Sequence, residues 1–219
     1  MKRIGIFGGS FNPIHLGHTA LAAYICEQGL VDEVWLMVSP QNPLKQDLTL
    51  LDESERLTMA HLAVAPYPML KACDFEFTLP RPSYTYHTLQ ALHKAYPEHE
   101  FSLIIGEDNW QCFDRWYRGK DIIRKTSIII YPRDAEGELN VIYAMNTPSA
   151  IEKDKRTNLP RLFPYSSTEI RMLLAKGGDV SHMLHPDVVQ YIKAKHLYSD
   201  YRASSTIEAS AQRHIKHHH

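Results

Sequence analysis

The residues with the most chemical potential lie in one short segment, Gly5 to His18, which reads GIFGGSFNPIHLGH. It sets Gly8, Gly9, Ser10 and Phe11 directly after an apolar run, then His15 and His18 three residues apart. Glycines let the backbone approach a bound group, and their N–H groups can form an anion-binding concavity. A helix starting near Leu16 or Gly17 aims its positive end at the same place. As i,i+3 neighbours, His15 and His18 can face one site and offer donors near neutral pH. A phosphate chain explains all of these features together. Other phosphate motifs fail: Gly119-Lys120 is followed by Asp121, and no G-x-G-x-x-G follows the first apolar run.

A second anion-binding turn reads YSSTEIR. Ser166, Ser167 and Thr168 precede a helix, and either serine can cap it. Arg171, one turn in, supplies a planar fork for phosphate. Lys45 lies in a proline-bracketed loop, where its ammonium either reaches a phosphate or is simply solvated. Asp108 follows Gly106 at the end of an apolar run; it either faces a ligand or caps a helix. Trp116, between Arg115 and Tyr117, is a ligand platform or a core residue. Ser83, Tyr84 and Thr85 open another helix, with Ser83 as its expected cap.

Elements must position these groups. RIGIF (3–7), EVWLMV (33–38), MLKACDF (69–75), FSLII (101–105) and SIIIY (127–131) are short apolar runs that suit strands covered on both faces. Helix-period segments lie between them. One covers residues 19–28 and stops at Gly29; DESERLTMAHLAVA opens with an Asp52/Glu55 capping box; SYTYHTLQALHKAYP ends before Pro97. Further strands are expected at VIYAMN (141–146) and RLFPY (161–165), and helices at about 168–176 and 186–195. The alternation predicts an α/β fold with a doubly wound, Rossmann-like parallel sheet, helices on both faces and a small C-terminal helical part. Residues 1–198 read as one domain and 199–219 as a polar tail.

The 219 residues carry 24 Lys+Arg against 25 Asp+Glu, which argues against broad nucleic-acid binding. Cys26, Cys73 and Cys112 show no Cys-x-x-Cys spacing, so neither a zinc site nor a disulfide framework is expected. Three separate thiols fit a reducing cytoplasm. No signal peptide or membrane span is expected. The remaining histidines have no ligand spacing, and no protein-held metal is expected.

GGSFNPIHLGH resembles the first signature of the HxGH nucleotidyltransferase superfamily, with His15-Leu16-Gly17-His18 as its core. SPQNPLK (39–45), PSYTYHTL (82–89), IGEDN (105–109), RWY (115–117), SSTEIR (166–171) and HPDVVQYIKAKHLY (185–198) extend the likeness to the bacterial nicotinate-nucleotide adenylyltransferase family, over roughly residues 1–198. That family usually carries Asp where this chain has Asn12. Many members have Arg-Pro-Gly where this chain has Tyr131-Pro132-Arg133-Asp134.

The resemblance implies adenylyl transfer from MgATP to nicotinate mononucleotide, giving deamido-NAD and pyrophosphate. It puts His18, with His15 beside it, at the α-phosphate, and Arg171 with the Ser166–Thr168 turn at the departing pyrophosphate. Gly8, Gly9, Ser10, Phe11, Lys45 and Gly106 would line the ATP site, with Asp108 on a ribose hydroxyl. Trp116 and Tyr117 would hold the pyridine ring, and Ser83, Tyr84 and Thr85 its carboxylate. Mg²⁺ would come with the ATP. Oligomeric state stays open. The rivals are another HxGH enzyme, such as a phosphopantetheine adenylyltransferase or a cytidylyltransferase, and a non-catalytic nucleotide sensor.

Overall fold

In the computed structural model, residues 1–40, 50–132, 140–142 and 165–201 are described. Six strands form one sheet: β1 (Lys2–Gly9), β2 (Glu33–Val38), β3 (Leu70–Cys73), β4 (His99–Gly106), β5 (Ser127–Tyr131) and β6 (Asn140–Ile142). Their order is β3-β2-β1-β4-β5-β6. The first five are parallel, and β6 joins β5 antiparallel at the edge. The helices are α1 (Leu16–Glu27), α2 (Glu53–Val64), α3 (Thr85–Ala95), α4 (Glu107–Gln111), α5 (Gly119–Lys125), α6 (Ser167–Ala175) and α7 (Pro186–Lys195).

The strand residues alternate between two cores, as period-2 geometry requires. Ile4, Ile6, Trp35, Met37 and Leu103 pack with Leu89 and Leu92 of α3 and Ile122 of α5. Phe7, Leu36, Val38, Ile104 and Ile129 pack with Leu21 of α1, Met59 of α2, Ile170 of α6 and Val188 of α7. Each such side chain contributes about 1.5–3 kcal/mol by leaving water. β1 lies between β2 and β4, so the chain winds outward from the centre in one direction and then in the other. The carboxyl ends of β1 and β4 therefore flank the crevice where ligands of open α/β sheets bind.

Several expectations are corrected. β1 extends through Gly8 and Gly9, so the glycines close the strand and the turn begins at Ser10. Asp52 caps α2 by accepting from Ser54 N–H, but Glu55 turns away to the Tyr191 hydroxyl and Lys195. Tyr84, not Ser83, is the N-cap of α3, and Ser83 is buried before it. The 69–75 run yields only the short β3, then a 3₁₀ turn at Phe75–Thr78. Beyond the expected domain end at 198, Tyr201 packs against Arg171. Lys45, RLFPY up to residue 164, the end of VIYAMN, Arg133 and the tail beyond 201 lie outside the described residues.

Candidate active site

The first crossover is built around two neutral imidazoles. His15 is the N-cap of α1, and its backbone N–H donates to His18 Nδ1 at 3.1 Å. That bond leaves the proton of a neutral His18 ring on Nε2. The two rings stack at 3.6 Å and 25°, and Phe11 and Phe7 meet His18 edge-on at 5.0 and 5.9 Å. Burial lowers the His15 pKa to about 4. Burial first, then the neighbouring His15, holds His18 well below the usual histidine range. Both enter the site uncharged, as hydrogen-bond donors, until an anion arrives to favour the imidazolium.

Phe11 has the left-handed φ of 44° in this turn. Its ring is buried in the core, so only its backbone can serve the ATP site expected of it. Gly9 is required for this packing: a Cβ there would stand 3.0–3.3 Å from the Phe11 ring. Gly8 has the opposite character. Nothing lies within 4 Å of its Cβ position, which leaves the strand end open to a ligand.

α6 reaches the same loop from the other end of the chain. Ser166 caps it by accepting from Glu169 N–H at 3.1 Å. Ser167 Oγ donates to the Pro13 carbonyl at 2.9 Å. Arg171 Nη1 donates to the Asn12 carbonyl at 2.6 Å, and Nη2 reaches Thr168 Oγ1 and the Tyr201 hydroxyl, each at 3.2 Å. The arginine fork expected to face phosphate is thus turned onto the histidine loop, over the Tyr201 ring. Its Nε is buried without a partner among the described residues.

A cleft opens at the carboxyl ends of β1 and β4. Gly8, Gly9 and Ser10 line it together with Ser83, Tyr84, Thr85, Gly106, Trp116 and Tyr117. The structure therefore gathers most of the expected nucleotide-binding residues in one place. Phe7 also lines the cleft and ties it to His18. Arg171 instead borders a second hollow with Tyr198 and Tyr201. Gly106 is closely approached: a Cβ there would stand 2.6 Å from Asp108 Oδ1 and 3.1 Å from the Tyr131 ring, so both would have to shift. Asp108 lies exposed in the first turn of α4, whose cap is Gly106. Trp116 stacks on Phe113 at 4.9 Å, and its Nε1 is buried without a partner among the described residues. Tyr117, 48% exposed, packs against Tyr84 at 5.1 Å.

Three groups escaped the sequence reading. Arg56, 1% exposed, donates to the carbonyls of Ser10 (2.6 Å), Ser39 (2.8 Å) and Leu51 (2.8 Å). It clamps the turn after β1 to the one after β2, and burial lowers its pKa. Its signal was a lone arginine on the apolar face shared with Met59, Ala60 and Ala63. Tyr198 donates its hydroxyl to Asn12 Oδ1 at 2.8 Å. That bond, with the Leu51 N–H contact at 3.4 Å, gives Asn12 a structural task that an amide oxygen performs uncharged. Glu76 lines the cleft though 7% exposed, and burial raises its pKa.

The cytidylyltransferase-like family matches residues 6–173. A chain of Bacteroides thetaiotaomicron, described as a probable nicotinate-nucleotide adenylyltransferase, is 49% identical over 87% of this chain and 91% of its own. Chains of the same description from Bacteroides fragilis (47% identity over 87% of this chain and 90% of that one) and Flavobacterium johnsoniae (37% over 90% and 98%) are also similar. Among solved structures, a Plasmodium falciparum nicotinic acid mononucleotide adenylyltransferase complexed with NaAD shares the fold, with a TM-score of 0.69 and 22% identity over 92% of this chain and 99% of that chain. By its sequence the chain belongs to the cytidylyltransferase-like family, in its nicotinate-nucleotide adenylyltransferase branch.

Proposed function

We propose that this protein transfers the adenylyl group of ATP to nicotinate mononucleotide, releasing pyrophosphate and giving deamido-NAD, as the names of its relatives indicate. The observation that carries the reading is the junction of α6 with the histidine loop, made by Ser167 on Pro13 and Arg171 on Asn12. It ties the two anion-binding turns to each other, as a shared triphosphate requires, with Arg171 bordering the hollow beside Tyr198 and Tyr201.

The acceptor is a phosphate monoester with a second pKa of about 6, largely dianionic at neutral pH, so no strong general base is needed. Catalysis is then positioning and charge neutralisation of an in-line displacement at the α-phosphate. His18 offers its Nε2–H to that phosphate, and His15 stands beside it. The free N–H groups of α6 and the Arg171 charge favour the departing pyrophosphate. To touch it directly, the Arg171 fork gives up its hold on Tyr201 or Thr168. Asp108 takes a ribose hydroxyl, and Lys45 a phosphate. Trp116 and Tyr117 hold the pyridine ring, while Ser83–Thr85 and the free N–H groups of α3 face its carboxylate. Mg²⁺ would arrive with ATP, retaining water ligands. When bound, it supplies charge neutralisation at those oxygens. The free thiols of Cys26, Cys73 and Cys112 suit a cytoplasmic setting.

The test supplies MgATP with nicotinate mononucleotide, nicotinamide mononucleotide or phosphopantetheine in separate reactions, measures pyrophosphate and weighs the second product. Deamido-NAD from the first reaction supports the proposal. Turnover only with phosphopantetheine, or with no acceptor at all, rejects it.

A further inference from the structure

Glu76 is a buried carboxyl in the wall of the nucleotide cleft, and the reaction proposed above gives it no task. It leaves the end of β3 on the 3₁₀ turn and points between β2 and α3. Its neighbours are hydroxyls: Thr88 Oγ1 at 2.7 Å, with Ser39 and Ser83 beside it. The charged and titratable groups around it are few. Asp74 shares its turn, and Arg115, Tyr84, Tyr117 and Tyr131 line the same cleft. Neither β2 nor α3 turns a cation toward it among the described residues. Burial raises the Glu76 pKa, outweighing the hydroxyl bonds that favour its ionised form.

The hydrogen-bond geometry agrees. Thr88 Oγ1 lies 2.7 Å from Glu76 Oε1 and 3.3 Å from the Tyr84 carbonyl. A hydroxyl has one proton. Thr88 therefore either donates to Glu76 or, when Glu76 keeps its proton and donates to Thr88, turns its own proton to the Tyr84 carbonyl, and only the second arrangement makes both contacts full hydrogen bonds. Tyr84 is the N-cap of α3, so this chain ends at the helix start that faces the cleft with Ser83 and Thr85.

We propose that Glu76 is a specificity-determining residue: held as an uncharged carboxylic acid under the α3 N-terminus, it lets that helix end accept an anionic ring substituent, a carboxylate, in preference to an amide. An ionised Glu76 would repel a carboxylate there and attract an amide N–H, reversing the choice. This rests on the adenylyl-transfer reading, and it adds the group that decides between two acceptors differing in one substituent.

The experiment uses the full chain. Pyrophosphate release with MgATP is followed for nicotinate and nicotinamide mononucleotides between pH ~6 and ~9, and the ratio of their kcat/KM values is the readout. Once the pH passes the Glu76 pKa, the wild-type ratio falls by up to ~10-fold per pH unit. The neutral isostere Glu76→Gln holds the ratio flat. Thr88→Val, which removes the proton's acceptor, moves the midpoint and covers the case in which Glu76→Gln misfolds. Infrared difference spectra of wild type minus Glu76→Gln show a protonated-carboxyl C=O band at neutral pH. A carboxylate band in its place, a Glu76→Gln ratio that follows the wild-type slope, or an unmoved midpoint in Thr88→Val overturns the proposal. No pyrophosphate with either pyridine nucleotide rejects the functional reading itself, a failure told apart because the infrared band still reports the charge of Glu76.

Discussion

His18 enters the site with its proton already assigned. The His15 N–H occupies Nδ1, so Nε2 faces outward as a donor at any pH where the ring is neutral. Replacing His18 by Ala removes this donor and leaves the rest of the turn in place. We expect kcat to fall by ~10²-fold or more with a folded protein; near-normal turnover in a variant that melts like wild type would reject the role. His15 makes a separate prediction about stability. Its folded pKa of about 4 lies below the unfolded value of 6.5, so between these limits the unfolded chain binds more protons. Stability is then complete above the unfolded value and is lost as pH falls through the folded one. The His15 contribution is about 3 kcal/mol. Urea unfolding at pH ~7 and pH ~4 should show a smaller drop for His15→Asn than for wild type; parallel losses would dismiss the idea. The spacing of the two histidines was legible in the sequence. Their mutual stacking and neutrality were not, because both depend on Phe7 and Phe11 arriving from the strand and the turn.

At the scale of elements, α6 depends on one hydroxyl to meet the loop after β1. Ser167→Ala loses the bond to the Pro13 carbonyl, at a cost of about 1 kcal/mol. A raised KM for ATP with an unchanged KM for the pyridine nucleotide is the expected pattern, and equal effects on both would contradict it. The elements themselves were readable where patterns were local. α7 begins at Pro186 and ends at Lys195 as the proline and the apolar period foretold, and the αL glycine Gly177 follows α6 as expected. Capping was read less well. Ser83 and Glu55 had the right residue types for local caps, yet Ser83 is buried ahead of α3, and Glu55 is taken by Tyr191 and Lys195 of α7. For Glu55 a tertiary partner displaced the local one, and sequence spacing does not record partners that arrive from far along the chain.

Across the whole molecule, a single buried side chain joins loops from separate crossovers. Arg56 holds the carbonyls of Ser10, Ser39 and Leu51. Arg56→Lys keeps the charge but loses the planar fork. It should lower the melting temperature and raise amide exchange in both loops together; protection lost in one loop alone would refute a shared clamp. The doubly wound sheet was legible from the alternation of apolar runs, but this clamp and the tie between Arg171 and Tyr201 were not, since neither leaves a periodic trace.

The order of strands has a consequence for how the chain is made. β1 begins at Lys2 and lies in the middle of the sheet, with its β4 partner starting at His99, paired across from Lys2. β2 follows closely and can cover one border of β1, but the other stays open until β4 is made. That waiting border is a template for wrong pairing while the intervening residues are synthesised.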